Sequence, residues 1–442
     1  MRKALLVGAV AAGCVFLAVL GLSLRKDQPA GTSGDDPDQR LARLRAVPYT
    51  SVTRDEVGDE PVGVIVHQRD KAHGGYNLYC SRISPEVFLM DMEGNIVHRW
   101  EYPESRQRLS ERNHAVMLEN GDVMVVNEPK NLWRLDWKSN VVWKKDLAAD
   151  HDIVQAEDGS FYVNVVEVRK YRGLDVRFPI IVHLAPDGRE LDRWSTYDNW
   201  DHLRQAFDQR SFLDTVLDSL LAGGQGSMTS EPIPGHLEVN ILKGKTVYDC
   251  LHLNTINILP DTPLGKADRR FRAGSLLICF RNINQLAILD RDTKDVLWVW
   301  GEGVLEWPHH PTMLDNGNIL VFDNGVLRKY SRVLELDPVT GEIEWQYVGA
   351  PPESFYTYEK GSAQRLPGGN TLICEGDKGR AFEVTKEGEI VWEWVNPAAK
   401  FRRRVQIYRM IRYPREMVQP LLGERLHAAR RPGSDPATGA VA

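Results

Sequence analysis

From about residue 75 the chain alternates short apolar runs with polar turns, and it repeats one phrase six times. A glycine or polar turn leads into an alternating strand that ends in tryptophan. The copies end at Trp100, Trp143, Trp194, Trp300, Trp345 and Trp394, at intervals of 43, 51, 106, 45 and 49 residues. Alternation of apolar and polar positions marks half-buried strands. A 40–50-residue period holding several such strands marks propeller blades. Asn120-Gly121, Asp158-Gly159, Asn316-Gly317 and Gly368-Gly369 recur at one place in blades 2, 3, 5 and 6 and predict tight turns between the first two strands. The long interval holds Asp201 to Leu221, where Leu203, Phe207, Phe212, Val216 and Leu220 follow helical spacing. Removing about 55 residues there restores the period and gives six blades rather than seven.

The expected fold is therefore all-β: a six-bladed β-propeller over 63–413, with a helical insertion at about 198–245 between blades 3 and 4. The tryptophans are expected to fill the space between blades. Blade 1 lacks a clear inner strand before Gly75-Tyr76. Arg404 to Tyr413 (RVQIYRMIRY) alternates like a strand and is expected to supply it, because closing the ring removes two exposed edges.

The N-terminus adds a second unit. Arg2 and Lys3 precede an apolar run from Ala4 to Leu24, closed by Arg25 and Lys26. Roughly 20 residues cross a bilayer as a helix, whereas the apolar part of a cleaved signal is about 7–15 residues long. Residues 1–26 thus read as an uncleaved, single-pass transmembrane anchor, with Cys14 facing lipid. Positive charge flanks both ends of the run, so the charges do not orient it. The short N-terminal tail favours an inner-membrane protein with its propeller exported to the periplasmic side. A linker follows over 27–62, rich in Gly, Pro, Ser and Asp from Gln28 to Asp38. Residues 414–442 form a C-terminal tail, and Arg431 to Ala442 has the composition of a disordered segment.

Composition narrows the function. The chain has 442 residues, 42% of them hydrophobic, and a net charge of −6. That excludes a disordered chain, a polytopic membrane protein and a nucleic-acid binder as a whole. The five cysteines, at 14, 80, 250, 279 and 374, form no CxxC pair and imply no disulfide framework.

The candidate chemistry lies at the axis, which the innermost strands line. Their first residues are His114, His151, His252, His310 and Ser362. Four histidines from four blades would converge there. Asn254 shares a face with His252 by strand alternation. Arg281 ends the second strand of blade 4, and Asp323-Asn324-Gly325 ends that of blade 5. Alternation turns Asp152 and Asp249 away, so no carboxylate is expected beside the histidines and no metal is assigned. Transfer of an anionic sulfuryl or phosphoryl group fits better, since it needs stabilised oxygens and an in-line nucleophile, which histidine can provide. No GxxxxGK[ST] loop is present to hold a nucleotide donor.

Several phrases resemble the bacterial arylsulfate sulfotransferase family: DCLHLN from Asp249, the Arg281 strand end, HHPTMLDNGNILVFDNG from His309, and GSAQRLPGGNTLICEG from Gly361. The likeness covers roughly residues 63–413. It implies a propeller that moves a sulfuryl group from an aryl sulfate to a phenol, with no nucleotide donor and no cofactor, through a sulfated histidine. Carried over residue by residue, it makes His310 the nucleophile and leaves His309 facing away. It assigns His151, His252, Asn254 and Arg281 to the sulfuryl oxygens, with Ser362 as a further donor. His114 receives no role. The alternatives are a non-catalytic binding or scaffold propeller and, further off, a quinoprotein-type dehydrogenase.

Overall fold

A computed structural model describes residues 53, 58, 60–104, 113–128, 130–207, 238–242 and 245–429. The expected anchor, nearly all of the linker, residues 208–237 and Arg431 to Ala442 lie outside them. No helix among the described residues is long and apolar enough to cross a membrane.

Six sheets follow one another along the chain, and blades 2 to 6 are each entered by their inner strand. Blade 2 runs His114–Met117, Val123–Asn127, Asn131–Leu135 and Val141–Lys145. Blade 3 starts at Ala149–Gln155, blade 4 at Leu253–Ile258, blade 5 at Pro308–Met313 and blade 6 at Ser362–Arg365. Second strands such as Leu276–Phe280 and Ile319–Asp323 are wholly buried, because both their faces meet neighbouring blades. Fourth strands such as Val141–Lys145 are largely exposed.

The ring closes as the alternation of 404–413 predicts. Met410–Tyr413 pairs with Tyr76–Cys80, setting Tyr413 opposite Tyr76 and Met410 opposite Tyr79, and so becomes the inner strand of blade 1. The Tyr413 hydroxyl reaches the next blade, where it accepts from the Met117 amide at 2.8 Å. Arg412 ties the seam, donating to Asn77 Oδ1 at 2.9 Å and pairing with buried Glu383. Residues 63–67, at the edge of the expected linker, add a fifth outer strand to blade 6 by pairing with Ile390–Val395. The tail begins as a helix, Arg415–Ala429, which packs Val418 against blades 1 and 2.

Tryptophans do fill the spaces between blades, and they also staple them. Trp143, Trp298, Trp345 and Trp392 each donate an indole N–H to a turn of the following blade, at Pro186, Pro338, Lys386 and Met92 respectively, over 2.7–3.0 Å. In blades 4 and 6 the staple is the earlier tryptophan of the pair, while Trp394 packs in the core. Trp392 carries the junction between blade 6 and blade 1 and is fully buried. Trp392→Ala is expected to cost about 3–5 kcal/mol of stability in chemical denaturation. A loss below about 1 kcal/mol, the size of an ordinary surface substitution, would mean that the seam does not depend on it.

The insertion after blade 3 is not helical throughout. Its described helix is Trp200–Ala206, which buries Trp200 and Leu203. The chain then returns through a hairpin, Glu238–Leu242 and Lys245–Asp249. The second of these strands runs parallel to Leu174–Leu184 of blade 3 and sets Asp249 opposite Arg177.

Candidate active site

The inner strands of blades 3, 4 and 5 share one irregularity. His151, His252 and His310 have φ of 57°, 54° and 49°, in the left-handed region. At or just beyond each, the ladder to the second strand shifts register: between Ala149 and Ile153, between Leu253 and Thr255, and between His309 and Thr312. Such a conformation costs about 1–3 kcal/mol per residue and is typically kept at functional sites. Its effect is geometric. A bulge breaks the strict in–out alternation of a strand, so consecutive side chains can turn toward one side. In blades 2 and 6 the inner ladder is unbroken.

This corrects two expectations drawn from alternation. The carboxylates do not turn away. Asp150 Oδ2 lies 2.9 Å from His151 Nδ1, Asp249 Oδ2 lies 2.9 Å from His252 Nδ1, and Asp152 lies 3.4 Å from His114. Nor does His309 face away. It is 3% exposed, with Nδ1 2.7 Å from Asn324 Oδ1 and 3.0 Å from the Trp307 carbonyl.

Two histidines meet at the axis. His151 Nε2 and His252 Nε2 are 3.0 Å apart. His252 Nδ1 hydrogen-bonds the Asp249 carboxylate, whereas His151 Nδ1 lies 2.9 Å from Asp150 Oδ2 outside hydrogen-bond geometry. Arg281 is 1% exposed, and its guanidinium stacks 4.3 Å from the Trp307 ring centroid while its Nε donates to Asn282 Oδ1.

The tautomer of His309 is fixed from behind. Asn324 Nδ2 donates to the Thr357 and Lys360 carbonyls at 2.8 and 3.0 Å, so its Oδ1 must face the imidazole. His309 therefore donates from Nδ1 and keeps a lone pair on Nε2, a buried atom without a hydrogen-bond partner. Burial, then the charges of Arg281 and His151, hold its pKa well below the ordinary imidazole value. His309 thus lies in the field of Arg281 and His151, two of the four residues expected to hold the sulfuryl oxygens.

His310 belongs to a second layer. Its Nδ1 lies 2.9 Å from the Ala363 carbonyl. Burial and then Arg409 push its pKa down to about 3, with Asp152 and His114 as further neighbours. Arg409 pairs with Asp152 at 3.0 Å and approaches His114 Nε2 at 3.3 Å. Burial and then Arg409 lower His114 to about 4. Ser362 is buried with its hydroxyl against the Cys374 thiol, which feels the same Arg409.

Asn254 serves the strand that carries the two histidines. Its Nδ2 donates to the Pro308 carbonyl at 2.8 Å, Asn257 donates to the Pro311 carbonyl at 2.8 Å, and Thr255 Oγ1 accepts from the His310 amide at 3.0 Å. Blade 4 thus grips His309-His310 on both sides.

Sequence reasoning missed Glu128, Asp150, Arg177, Arg409 and Tyr408, whose ring lies 5.7 Å from that of His114 and 6.1 Å from that of His151. Asp150 stood beside His151 in DHD, and Arg409 lay within the predicted closing strand. Among the described residues, Glu128, Asp150 and His151 bring ligand atoms within 4.8 Å of one another, a set that could hold a metal ion. The Arg177 guanidinium, 2.6 Å from Asp150, already supplies positive charge there. Burial opposes the charge of Asp150, but Arg177 and His151 hold its carboxyl well below the usual range. Two surface clefts, of about 450 and 370 Å³, are lined by other residues, among them Tyr347 and Lys378 in one and His67 and Arg415 in the other.

Fold and axis together define a six-bladed propeller with a buried centre rich in histidines and in arginine–carboxylate pairs. The chain belongs to the arylsulfotransferase (ASST) family, whose model matches residues 114–397, more than half of its length. That membership supports an arylsulfotransferase-like, transferase function. No curated protein matches the chain. Among solved structures, a Bacteroides caccae protein of unknown function is 13% identical, with 77% of this chain and 99% of that one covered and a TM-score of 0.47. A streptogramin B lyase is 11% identical, with 80% and 93% covered and a TM-score of 0.42. Likenesses of this size carry no conclusion about what the chain binds or does.

Proposed function

We propose that the chain transfers a sulfuryl group from an aryl sulfate to a phenol through a sulfated histidine, and that this histidine is His309. The carrying observation is the bare Nε2 of a tautomer-locked imidazole beside Arg281 and His151. In the first half-reaction the Nε2 lone pair attacks sulfur, the sulfur–oxygen bond to the ring breaks, and a phenolate leaves. In the second, the oxygen of an acceptor phenol attacks sulfur, the sulfur–nitrogen bond breaks, and the phenolic proton passes to solvent. Arg281 donates to the sulfuryl oxygens, whose charge grows in the transition state, and as the substrate enters, the Nε2 contact between His151 and His252 opens so that an Nε2–H of the pair turns to an oxygen as well. Asn254 positions the nucleophile's strand.

A second reading keeps the transfer and places the bond on His310. It is favoured by the backbone conformation His310 shares with His151 and His252.

Mixing the full-length protein with a chromogenic aryl sulfate and a second phenol tests the proposal. The expected products are the free chromophore and the sulfated acceptor, formed without a nucleotide. Sulfate binding without turnover would favour a binding propeller instead. The pH profile is a second check. A depressed pKa keeps His309 unprotonated as pH falls, so the first phenol release should hold its rate through about pH 6.5, the ordinary imidazole value. A rate that falls with a midpoint there would contradict a buried nucleophile.

A further inference from the structure

Arg177 lies off the axis, on the third strand of blade 3, and is 8% exposed. Its guanidinium reaches two carboxylates from different segments: Asp150 at 2.6 Å and Asp249 at 3.5 Å. Asp150 precedes the inner strand position of His151. Asp249 arrives on the return strand of the inserted hairpin, which pairs in parallel beside Arg177. The Asp150 and Asp249 side chains are 4% and 1% exposed, and an unpaired charge is costly to bury. One planar guanidinium can serve both at once, which a lysine ammonium cannot do in the same geometry.

Each of these carboxylates lies 2.9 Å from the Nδ1 of one axial histidine, Asp249 as a hydrogen bond to His252 and Asp150 as a close polar contact with His151. Asp249 also accepts from the His252 amide at 3.0 Å, fixing the backbone of that residue as well as its ring. The chain of contacts runs from Arg177 through Asp150 to His151 and through Asp249 to His252. It ends where the two Nε2 atoms meet at 3.0 Å. Outer partners of this kind set the orientation and basicity of the imidazole they hold.

We infer that Arg177 is a positioning residue that aims both His151 and His252 at the sulfuryl oxygens, through one carboxylate each. The role rests on the sulfuryl-transfer reading for its purpose but not for its geometry. It also gives the inserted hairpin a task, which is to bring Asp249 to the guanidinium.

The test uses full-length protein with ¹⁵N-labelled histidine. The wild type should show two protected Nδ1–H signals, assigned by their loss in His151→Gln and His252→Gln. Arg177→Lys should move both and lower kcat on an aryl sulfate roughly 10–100-fold, with KM little changed. Asp249→Asn should move the signal of His252 directly and that of His151 as well, because Arg177 is then left to Asp150 alone. A folded Arg177→Lys protein with both signals and kcat unchanged overturns the inference. If Arg177→Lys does not fold, Asp249→Asn decides: a shift confined to His252 overturns the inference, and a shift of both signals supports it. Absence of turnover in the wild type would count against the function alone, since the signals are read without substrate.

Discussion

His309→Ala is expected to abolish the burst of phenol that follows mixing with an aryl sulfate, and with it the covalent half-reaction. The substitution removes the lone pair that attacks sulfur, so no other part of the site can substitute for it, and steady turnover should fall at least as far as for loss of a charge-stabilising donor, about 10²–10³-fold. His310→Ala should keep the burst. That ring sits in the Arg409 layer, where its neighbours are Asp152 and His114 rather than Arg281. Rapid-mixing absorbance on both variants reads the outcome. If His310→Ala loses the burst and His309→Ala keeps it, the bond forms on His310, and the left-handed backbone rather than the position of Arg281 identifies the nucleophile.

Arg281→Met should lower kcat/KM by about 10²–10³ while leaving the burst stoichiometry intact, because it removes the strongest donor to the transition-state oxygens but not the nucleophile. Arg281→Lys should recover only part of the loss, since it keeps the charge and forfeits the planar stack on Trp307. The arginine has a second effect with a definite sign. Its charge helps to lower the His309 pKa, after burial. Without it that pKa moves up, so protonation silences the nucleophile sooner as pH falls. The acid limb of Arg281→Met should therefore lie at higher pH than that of the wild type. Equal acid limbs in the two proteins would show that Arg281 does not face His309.

Blade number, the tight turns and the closing strand were legible because they depend on local alternation and on small turn residues. Asn316-Gly317 or the alternation of RVQIYRMIRY carries its signal within a few residues. The set of axial histidines was legible for the same reason, since each lies at or near the start of an inner strand. What alternation could not reveal was the place where alternation stops. Left-handed backbone at His151, His252 and His310 turns Asp150, Asp152 and His309 inward, and nothing in a run of side chains marks that turn in advance. Arg177 and Arg409 were hidden for a different reason. Arg177 reaches Asp249 across a strand pairing that only the insertion creates, and Arg409 reaches Asp152 from the far end of the chain. The apolar run at 4–24 lies outside the described residues, and its membrane role stays an expectation.

The central claim is a covalent bond between sulfur and an axial imidazole. Mass spectrometry of wild-type protein quenched during turnover of an aryl sulfate, followed by digestion, tests it most directly. The account predicts one added sulfuryl group on the peptide that carries His309-His310, assigned by fragmentation to His309 and absent when acceptor phenol is supplied in excess before the quench. Rapid turnover with no sulfuryl group on that peptide would contradict it.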